Sequence, residues 1–303
     1  MSTTVWRAGG VLVLGAKGML GRDLMSTLLK PVEKAGGRLV GFDLPMIDIC
    51  DRKAVSVLLK EHAVSTVINA AAFTDVDGCE SRCEHALAVN VDGPVHVAAA
   101  CVETGATMVH FGTDFIFDGQ SDVPYLPDHS ANPLSIYGRS KWMGEQAVRE
   151  SGCRHLIVRT SWLFGHGGRN FVTAILDQVA AGKSLRVVSD QVGSPTYAPH
   201  LADAVGRLLD VGATGTVHFA NAGQCSWFEF AADLVNRAGG DVPMTPISAA
   251  ELNRPANRPA YSVLDTTGFT ALTGHRPAAW QDGVADYMEK KSPVAQAADR
   301  SGT

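Results

Sequence analysis

Short apolar runs alternate with helically spaced apolar positions along the first half of the chain. The apolar runs, which we interpret as strands, are residues 11–14, 38–42, 66–69, 107–113 and 155–160. The stretches with helical spacing or an Ala/Val-rich composition, which we interpret as helices, are residues 19–30, 53–62, 84–103 and 136–151. Such alternation is typical of a parallel sheet covered on both faces. The pattern therefore predicts an α/β fold with a doubly wound, Rossmann-type parallel sheet.

The second half of the chain has a different pattern. Residues 182–200 and 243–277 contain the glycines and prolines that are typical of loops. We therefore expect a dinucleotide-binding domain over residues 1–160, to which some later segments return, and a smaller, mainly substrate-binding domain over residues 161–303. Ligands of open α/β sheets bind at the carboxyl ends of the strands, which a loop-rich segment of this kind would cover. Residues 292–303 are predicted to be a frayed tail.

Composition and charge narrow the class of protein. The chain has 303 residues, of which 46% are hydrophobic and 19% charged, and its formal net charge is −5. This mildly acidic balance gives no electrostatic footprint for nucleic acid or an anionic membrane. The N-terminus has no apolar signal segment, and no run approaches the ~20 apolar residues that a membrane span needs. We expect a cytoplasmic protein that binds neither nucleic acid nor membranes.

The six cysteines are scattered along the chain without a CxxC pair. We expect them to be reduced and to serve mostly in packing. Cys79, Cys83 and His85 are close in sequence, but no second cluster completes a metal site of familiar spacing. These three residues are therefore not predicted to bind metal.

A glycine motif separates the first predicted strand from the first predicted helix. Gly15, Gly18 and Gly21 form GxxGxxG at this turn. The first glycine permits a tight turn, the second lets the backbone approach a pyrophosphate, and the third lets the helix pack on the strand. The motif predicts a dinucleotide site, and the alternative is a glycine-rich turn that binds nothing.

An acidic residue ends the second predicted strand. Asp43 lies 22 residues after Gly21, where a carboxylate can accept hydrogen bonds from the adenosine ribose. This position favours NADH, whereas Lys17 in the glycine loop could neutralise the 2′-phosphate of NADPH. We expect either cofactor to bind, with NADH slightly favoured. The alternative for Asp43 is a turn residue with no ligand.

A tyrosine and a lysine lie four residues apart near the start of a predicted helix. Tyr137 and Lys141 therefore share one helical face. An ammonium beside a phenol lowers the pKa of the phenol, which makes the tyrosine a usable general acid for carbonyl reduction. Thr113 and Asp114 follow an apolar strand and are expected to face the glycine loop across the crevice. The alternative for the Tyr/Lys pair is an exposed helical pair with no catalytic role.

Several longer motifs resemble one enzyme family. They are the glycine loop, INAAAFTDVDGCES (68–81), AVN (88–90), GTDFIFDG (112–119), YGRSK (137–141), RTSWLFG (159–165), NFV (170–172), DQVGSPTYA (190–198), SWFEFA (226–231) and RPAYSVLD (258–265). In this order, from about residue 11 to 287, the chain resembles the dTDP-4-dehydrorhamnose reductases, a family of extended short-chain dehydrogenases.

The resemblance implies a role for each matching residue. Tyr137 would protonate the C4 oxygen of the sugar, and Lys141 would tune Tyr137 and bond the nicotinamide ribose. Thr113 would hold the substrate carbonyl, Asp114 would contact the sugar, and Trp162 would lie against the hexose, for which a flat apolar face is suitable. The positions where relatives hold the dinucleotide match Gly18, Met19, Leu20, Asp43, Asp48, Ile49, Ala71, Ala72 and Phe73. The alternative for Trp162, without the resemblance, is a core aromatic.

The chain departs from the family pattern at three positions. The family commonly has serine at Gly112, tyrosine at Phe115, and tyrosine or histidine at Phe73. Small changes in cofactor and substrate contacts are expected from these departures. Some relatives bind Mg²⁺ at a dimer contact through acidic side chains, and Asp23 falls near one such position. No partner residues complete that site, so no metal is predicted.

The resemblance implies reduction of the 4-keto group of dTDP-4-dehydro-L-rhamnose to dTDP-L-rhamnose by hydride transfer from NADH or NADPH. A homodimer is possible by the same resemblance. Two alternatives remain open at this point. One is a reductase for another dTDP-4-keto-6-deoxysugar, and the other is a non-catalytic regulatory subunit of the methionine adenosyltransferase type, which has a similar fold.

Overall fold

The structure, a computed structural model, describes residues 5–290. The predicted tail at 292–303 lies outside the described residues. The strands are β1 (Val11–Leu14), β2 (Leu39–Phe42), β3 (Thr66–Asn69), β4 (Thr107–Thr113), β5 (His155–Thr160), β6 (Leu163–Phe164), β7 (Leu185–Val188), β8 (Val192–Gly193), β9 (Thr196–Tyr197), β10 (Gly215–His218), β11 (Cys225–Ser226) and β12 (Met244–Ile247).

The helices lie between and after these strands. They are α1 (Val5–Ala8), α2 (Met19–Lys34), α3 (Arg52–His62), α4 (Val76–Ser81), α5 (Cys83–Leu87), α6 (Gly93–Thr104), α7 (Ile136–Glu150), α8 (Phe171–Ala180), α9 (Ala198–Asp210), α10 (Trp227–Arg237), α11 (Ala249–Leu252), α12 (Thr267–Thr273) and α13 (Trp280–Glu289). No helix among residues 5–290 is long and apolar enough to cross a membrane.

Six strands form one parallel sheet in the order β2–β1–β3–β4–β5–β10. All residues of β1 and β3 are buried because helices cover both faces of the sheet. One face packs against α2 and α9 through a core that includes Leu24, Leu28 and Val205, and the other packs against α3 and α6. The predicted α/β, doubly wound sheet is thereby confirmed.

The strand order reverses at β1, whose neighbours are β2 on one side and β3 on the other. In sheets of this kind the crevice at such a reversal, outside the carboxyl ends of the strands, is the usual ligand site. The loops that follow β1, β3 and β4 all open at this edge. The sheet therefore places the glycine motif opposite the segment that follows β4.

The long helix predicted over 84–103 is interrupted. A π-turn, Ala88–Asp92, separates α5 from α6. The turn brings the buried carboxamide of Asn90 against the loop at Phe73, where it accepts a hydrogen bond from Phe73 N (2.9 Å) and donates one to Phe73 O (3.0 Å). Such turns often occur at functional sites. The helical spacing of the sequence did not reveal this irregularity.

A second apolar core lies in the C-terminal half. It includes Phe164, Phe230, Leu234 and Trp280, which come from the segments around β6, α10 and α13. Within the loop-rich stretches 182–200 and 243–277 the structure has short strands, the short helices α11 and α12, and the first residues of α9. Strand β10 pairs with β5 in the parallel sheet, and α9 packs on α2. The division into two domains at residue 160 stays a prediction.

Candidate active site

One large cavity, about 1260 Å³, opens at the carboxyl edge of the sheet. It brings together ten of the residues predicted from the sequence. They are Gly18, Met19, Leu20, Gly21, Ala72, Thr113, Asp114, Tyr137, Lys141 and Trp162. A cavity of this size, lined by apolar walls and a few convergent polar groups, is typical of a ligand site.

The glycine loop has the geometry that a dinucleotide requires. Gly15 has φ +76°, and a methyl group there would lie 2.7 Å from Ala71 N, so only glycine fits. A side chain at Gly21 would collide with the carbonyl oxygen of Gly15. Gly18 precedes the first residue of α2 and gives that helix no side-chain cap. The N–H groups at the start of α2 are therefore free to bind an anion such as a pyrophosphate.

The remaining predicted cofactor residues are not among those that line the cavity. Asp43 follows β2 and accepts hydrogen bonds from Lys17 N and Leu44 N, both 2.8 Å. The others outside the wall are Gly15, Asp48, Ile49, Ala71 and Phe73. Asp48 is exposed and accepts from Cys50 N at 2.9 Å, whereas Ile49 is buried. The Asp43 carboxylate thus shapes the turn beside the glycine loop, where a ribose could also reach it.

Helix α7 carries the predicted acid and its lysine. Ser135 caps the helix by accepting a hydrogen bond from Gly138 N at 3.1 Å, and Ile136 N donates to Glu80 at 2.8 Å. These contacts fix the first turn of the helix, which contains Tyr137. Because Lys141 is one turn further along, it lies on the same side of the helix and also lines the cavity.

The pKa shifts of the pair differ from the expectation. Burial lowers the pKa of Lys141 to about 8, and the Glu145 carboxylate opposes this shift. Burial also raises the pKa of Tyr137, while a hydrogen bond with Thr113 lowers it and the charge of Asp114 adds to the rise. A lowering of the tyrosine pKa by the ammonium was expected, whereas burial raises this pKa and the opposing contribution comes from the hydrogen bond with Thr113. A high pKa keeps Tyr137 protonated, as a proton donor must be.

Thr113 and Asp114 end strand β4 beside Tyr137. Thr113 Oγ1 donates a hydrogen bond to Asp114 Oδ1 at 3.1 Å and accepts one from Phe115 N at 3.2 Å. Burial raises the pKa of Asp114 to about 7, although hydrogen bonds from Ser262 and Thr113 oppose the shift. The carboxyl group can therefore change its charge near neutral pH.

Trp162 has a constrained position in the wall. Its φ is +45°, which is unusual for a residue other than glycine. Its indole stacks on that of Trp227, with ring centroids 3.5 Å apart and an angle of 5° between the planes. A methyl group at Gly193 would lie 2.6 Å from Trp162 Nε1. The ring is thus held between two neighbours, and it lines the cavity.

Sequence reasoning missed several residues of the same cavity. They are Trp227 and four arginines, namely Arg169, Arg186, Arg254 and Arg258. Trp227 and Arg258 fall within the quoted motifs SWFEFA and RPAYSVLD, but the spacing of those motifs gave no role. Only Asp75 and Asp114 supply carboxylates to this wall, so its charge favours an anionic ligand.

The acidic residue considered for a metal lies elsewhere. Asp23 is on α2, where burial raises the pKa of its carboxyl to about 6 against the opposing charge of Lys290. Within residues 5–290 no group of three or more His, Cys, Asp or Glu side chains has a metal-binding arrangement. Cys79 is buried and Cys83 half-buried, and both are free thiols.

Comparison with known proteins gives a consistent match. Residues 9–292 match the family model described as RmlD substrate binding domain. The chain is 38% identical over 270 residues to a dTDP-4-dehydrorhamnose reductase of Streptomyces griseus, with 86% of each chain covered. It is 37% identical over 282 residues to the spore coat polysaccharide biosynthesis protein SpsK of Bacillus subtilis, covering 93% of this chain and 98% of the relative.

A solved structure is similar as well. The crystal structure of dTDP-4-dehydrorhamnose reductase from Bacillus anthracis in complex with NADP superposes with a TM-score of 0.88 at 34% identity. The superposition covers 92% of this chain and 98% of that one. The similarity therefore extends over both halves of the fold.

Proposed function

The chain belongs to the RmlD family of dTDP-4-dehydrorhamnose reductases, and from this we propose that it reduces the 4-keto group of dTDP-4-dehydro-L-rhamnose to give dTDP-L-rhamnose. It is an NAD(P)H-dependent oxidoreductase with a Rossmann-type fold. One observation carries the assignment of the site. Tyr137, Lys141 and Thr113 line the same cavity as the glycine loop, so a sugar carbonyl and a nicotinamide can meet there.

In the proposed mechanism the protein binds and orients the sugar and protonates its carbonyl oxygen. The cofactor, when bound, supplies the hydride to C4 of the sugar. Tyr137 Oη donates its proton to the carbonyl oxygen as the C–H bond forms, and Thr113 Oγ1 donates a hydrogen bond to the same oxygen once its hydroxyl proton turns away from Asp114 Oδ1. The Lys141 ammonium stabilises the tyrosinate that remains. The carbonyl gains one hydride and one proton, which gives the secondary alcohol.

The charge of the cavity supports a substrate that carries a diphosphate, as a nucleotide sugar does. Arg254 and Arg258 lie in the wall formed by the C-terminal half, and the stacked indoles of Trp162 and Trp227 offer a flat apolar surface nearby. Guanidinium groups bind phosphates with paired hydrogen bonds, and aromatic faces suit sugar rings and bases.

The choice of reduced cofactor is part of the proposal. The Asp43 carboxylate lies beside the glycine loop, where it can accept hydrogen bonds from the ribose of NADH. Lys17 is exposed in the same loop, and its ammonium bonds Leu44 O at 3.3 Å. We expect both cofactors to be used and kcat/KM to be slightly higher with NADH.

The test is a turnover assay with a panel of dTDP-4-keto-6-deoxysugars. The loss of NADH or NADPH absorbance measures the rate, and NMR identifies the product. We expect the rhamnose precursor to be the best substrate, whereas a higher kcat/KM for another sugar of the panel would overturn the substrate assignment.

A variant tests the role of the tyrosine. Tyr137→Phe should lose at least about a hundredfold in kcat while retaining cofactor affinity, because general acid catalysis is typically worth 10²–10⁴-fold. Wild-type turnover in this variant would refute Tyr137 as the proton donor.

The cytoplasmic location and the homodimer remain predictions.

A further inference from the structure

A cluster of charged side chains joins the two halves of the fold beside the cavity. Asp77 belongs to α4, in the cofactor-binding half, and Arg254 and Arg258 follow α11 in the C-terminal half. The Asp77 carboxylate oxygen Oδ2 accepts a hydrogen bond from Arg254 Nη1 at 3.0 Å and lies 3.0 Å from Arg258 Nη2. Its other oxygen, Oδ1, accepts one from Ala256 N at 3.2 Å. We call this arrangement the Asp77 clasp.

The Asp77 carboxylate has several hydrogen-bond partners although it lies near the surface. The Asp77 side chain is 24% exposed, that of Arg258 16% and that of Arg254 53%. Partial burial pushes the pKa of Asp77 upward, but the hydrogen bonds from Ala256, Arg254 and Arg258 outweigh it and hold the pKa below its ordinary value. Arg258 Nη1 also donates to Ala256 O at 2.8 Å, which fixes the guanidinium against its own loop.

The Asp77 carboxylate lies outside the cavity wall, whereas the groups that it binds are part of that wall. Arg254, Ala256 and Arg258 line the cavity, whereas Asp77 does not. A ligand in the cavity therefore meets the guanidinium groups, while the carboxylate holds them from behind. Two guanidinium groups share one carboxylate, so the clasp keeps a net positive charge towards the ligand.

We propose that Asp77 is a positioning residue for substrate affinity, which fixes Arg254 and Arg258 in the geometry that binds the diphosphate of a nucleotide sugar. The inference rests on the proposed function, because it assumes that the anion bound at this wall belongs to the substrate. Arginine side chains lose rotamer freedom when they bind, and a carboxylate that has already ordered them reduces this cost. Asp77 does not touch the reacting carbonyl and should leave the chemical step unchanged.

Asp77→Asn is the decisive variant. It retains the size of the side chain and one oxygen, but it removes the charge that both arginines share. We expect KM for the dTDP-4-keto sugar to rise about tenfold, with kcat and KM for NADPH within about twofold of wild type, since hydrogen bonds to charged groups are worth this much. The affinity for dTDP alone, measured by calorimetry, should fall by the same factor.

Matched variants separate positioning from a general loss of structure. Asp203→Asn removes one carboxylate from an exposed ion pair with Arg207 on α9 and should leave all of these quantities unchanged. Arg254→Gln lies at the exposed side of the clasp and should raise KM for the sugar about threefold even if Asp77→Asn fails to fold. In a chain that carries Arg254→Gln and Arg258→Gln, adding Asp77→Asn should have no further effect on the affinity for dTDP.

Three results would overturn the proposal. They are an unchanged KM for the sugar in Asp77→Asn, tighter binding of dTDP, which would mean that the carboxylate competes with the diphosphate, and a fall in kcat with an equal rise in both KM values. Failure of the proposed function gives a different result. The wild-type protein would then fail to reduce the sugar, whereas the effect of Asp77→Asn on dTDP binding would still be measurable.

Discussion

Arg159 and Glu145 form an ion pair of 2.9 Å, between Arg159 Nη2 and Glu145 Oε2, in which neither side chain is more than 1% exposed. Arg159 belongs to β5 and Glu145 to α7, one turn beyond Lys141. A second guanidinium nitrogen of Arg159, Nη1, donates to Pro127 O at 2.9 Å and lies 3.3 Å from Nε2 of His218. The pair therefore joins α7 to the sheet and to the loop around Pro127, which precedes α7 in the chain.

Removing one partner of this pair should destabilise the protein strongly. We expect Glu145→Gln to lower the free energy of unfolding by about 3–5 kcal/mol, because it leaves the buried Arg159 charge unpaired. Urea unfolding at pH 7 measures this difference. Asp203→Asn, in an exposed pair, should cost at most about 1 kcal/mol. An equally small loss in Glu145→Gln would show that the pair is not needed to hold α7.

The activity should depend on the protonation of Lys141. Because the pKa of Lys141 is lowered to about 8, its ammonium is present below pH 8 and is lost as the pH rises through that value. We expect kcat/KM to fall above pH 8, since this parameter reports ionisations of the free enzyme. Lys141→Arg, which stays charged, should lose that alkaline fall in whatever activity remains. The same fall in Lys141→Arg would assign it to another group.

Asp114 should make the free energy of unfolding depend on pH between the acidic range and neutrality. Its pKa is raised from 3.8 to about 7, mainly by burial, so its contribution to stability is fully present below pH 3.8 and is lost as the pH rises towards 7. Relative to Asp114→Asn, the wild-type protein should lose up to about 1.4 kcal/mol per pH unit in this range. Urea unfolding of both proteins between pH 4.5 and 8 measures the slope. A constant difference would mean that Asp114 is ionised throughout.

Gly193 should be intolerant of a side chain because of Trp162. A methyl group there would lie 2.6 Å from Nε1 and 2.7 Å from Cζ2 of the indole. Gly193→Ala should lower the free energy of unfolding by about 1–3 kcal/mol, change the tryptophan fluorescence and raise KM for the sugar. Gly268→Ala, in helix α12 with open space around it, should be neutral or stabilising by about 0.5–1 kcal/mol. Equal effects of the two variants would show that the Trp162 stack adapts freely.

The parts of the fold that depend on local pattern could be predicted from the sequence. Strands β1, β3, β4 and β5 have the predicted bounds, because each is a buried run with clear ends. The glycine loop and the Tyr137/Lys141 pair could be proposed because their spacing is combined with a favourable place, the first at the turn after β1 and the second in a chain where Thr113 and Asp114 follow an apolar strand. Helix α2 continues past the predicted residue 30 to Lys34, through Pro31, since packing on α9 outweighs the local preference.

The features that sequence reasoning missed depend on contacts between distant segments. Asp77 and Arg254 are 177 residues apart, and Trp162 and Trp227 meet only through the C-terminal core. The π-turn at Ala88–Asp92 is stabilised by the bonds of Asn90 to Phe73 and to Ser140 Oγ, the latter at 3.0 Å. The rise in the pKa of Tyr137 likewise follows from burial, which a spacing of four residues does not reveal.

One edge strand of the sheet, β10, comes from residues far beyond the other five strands and pairs with β5 from Gly215↔Leu156 to His218↔Arg159. A fragment that ends after β5 would lack β10. The N–H and C=O groups of β5 that face β10 would then be unpaired and exposed to solvent, which favours aggregation. Exchange of substrate halves between relatives, by recombination or design, must therefore transfer or rebuild this edge.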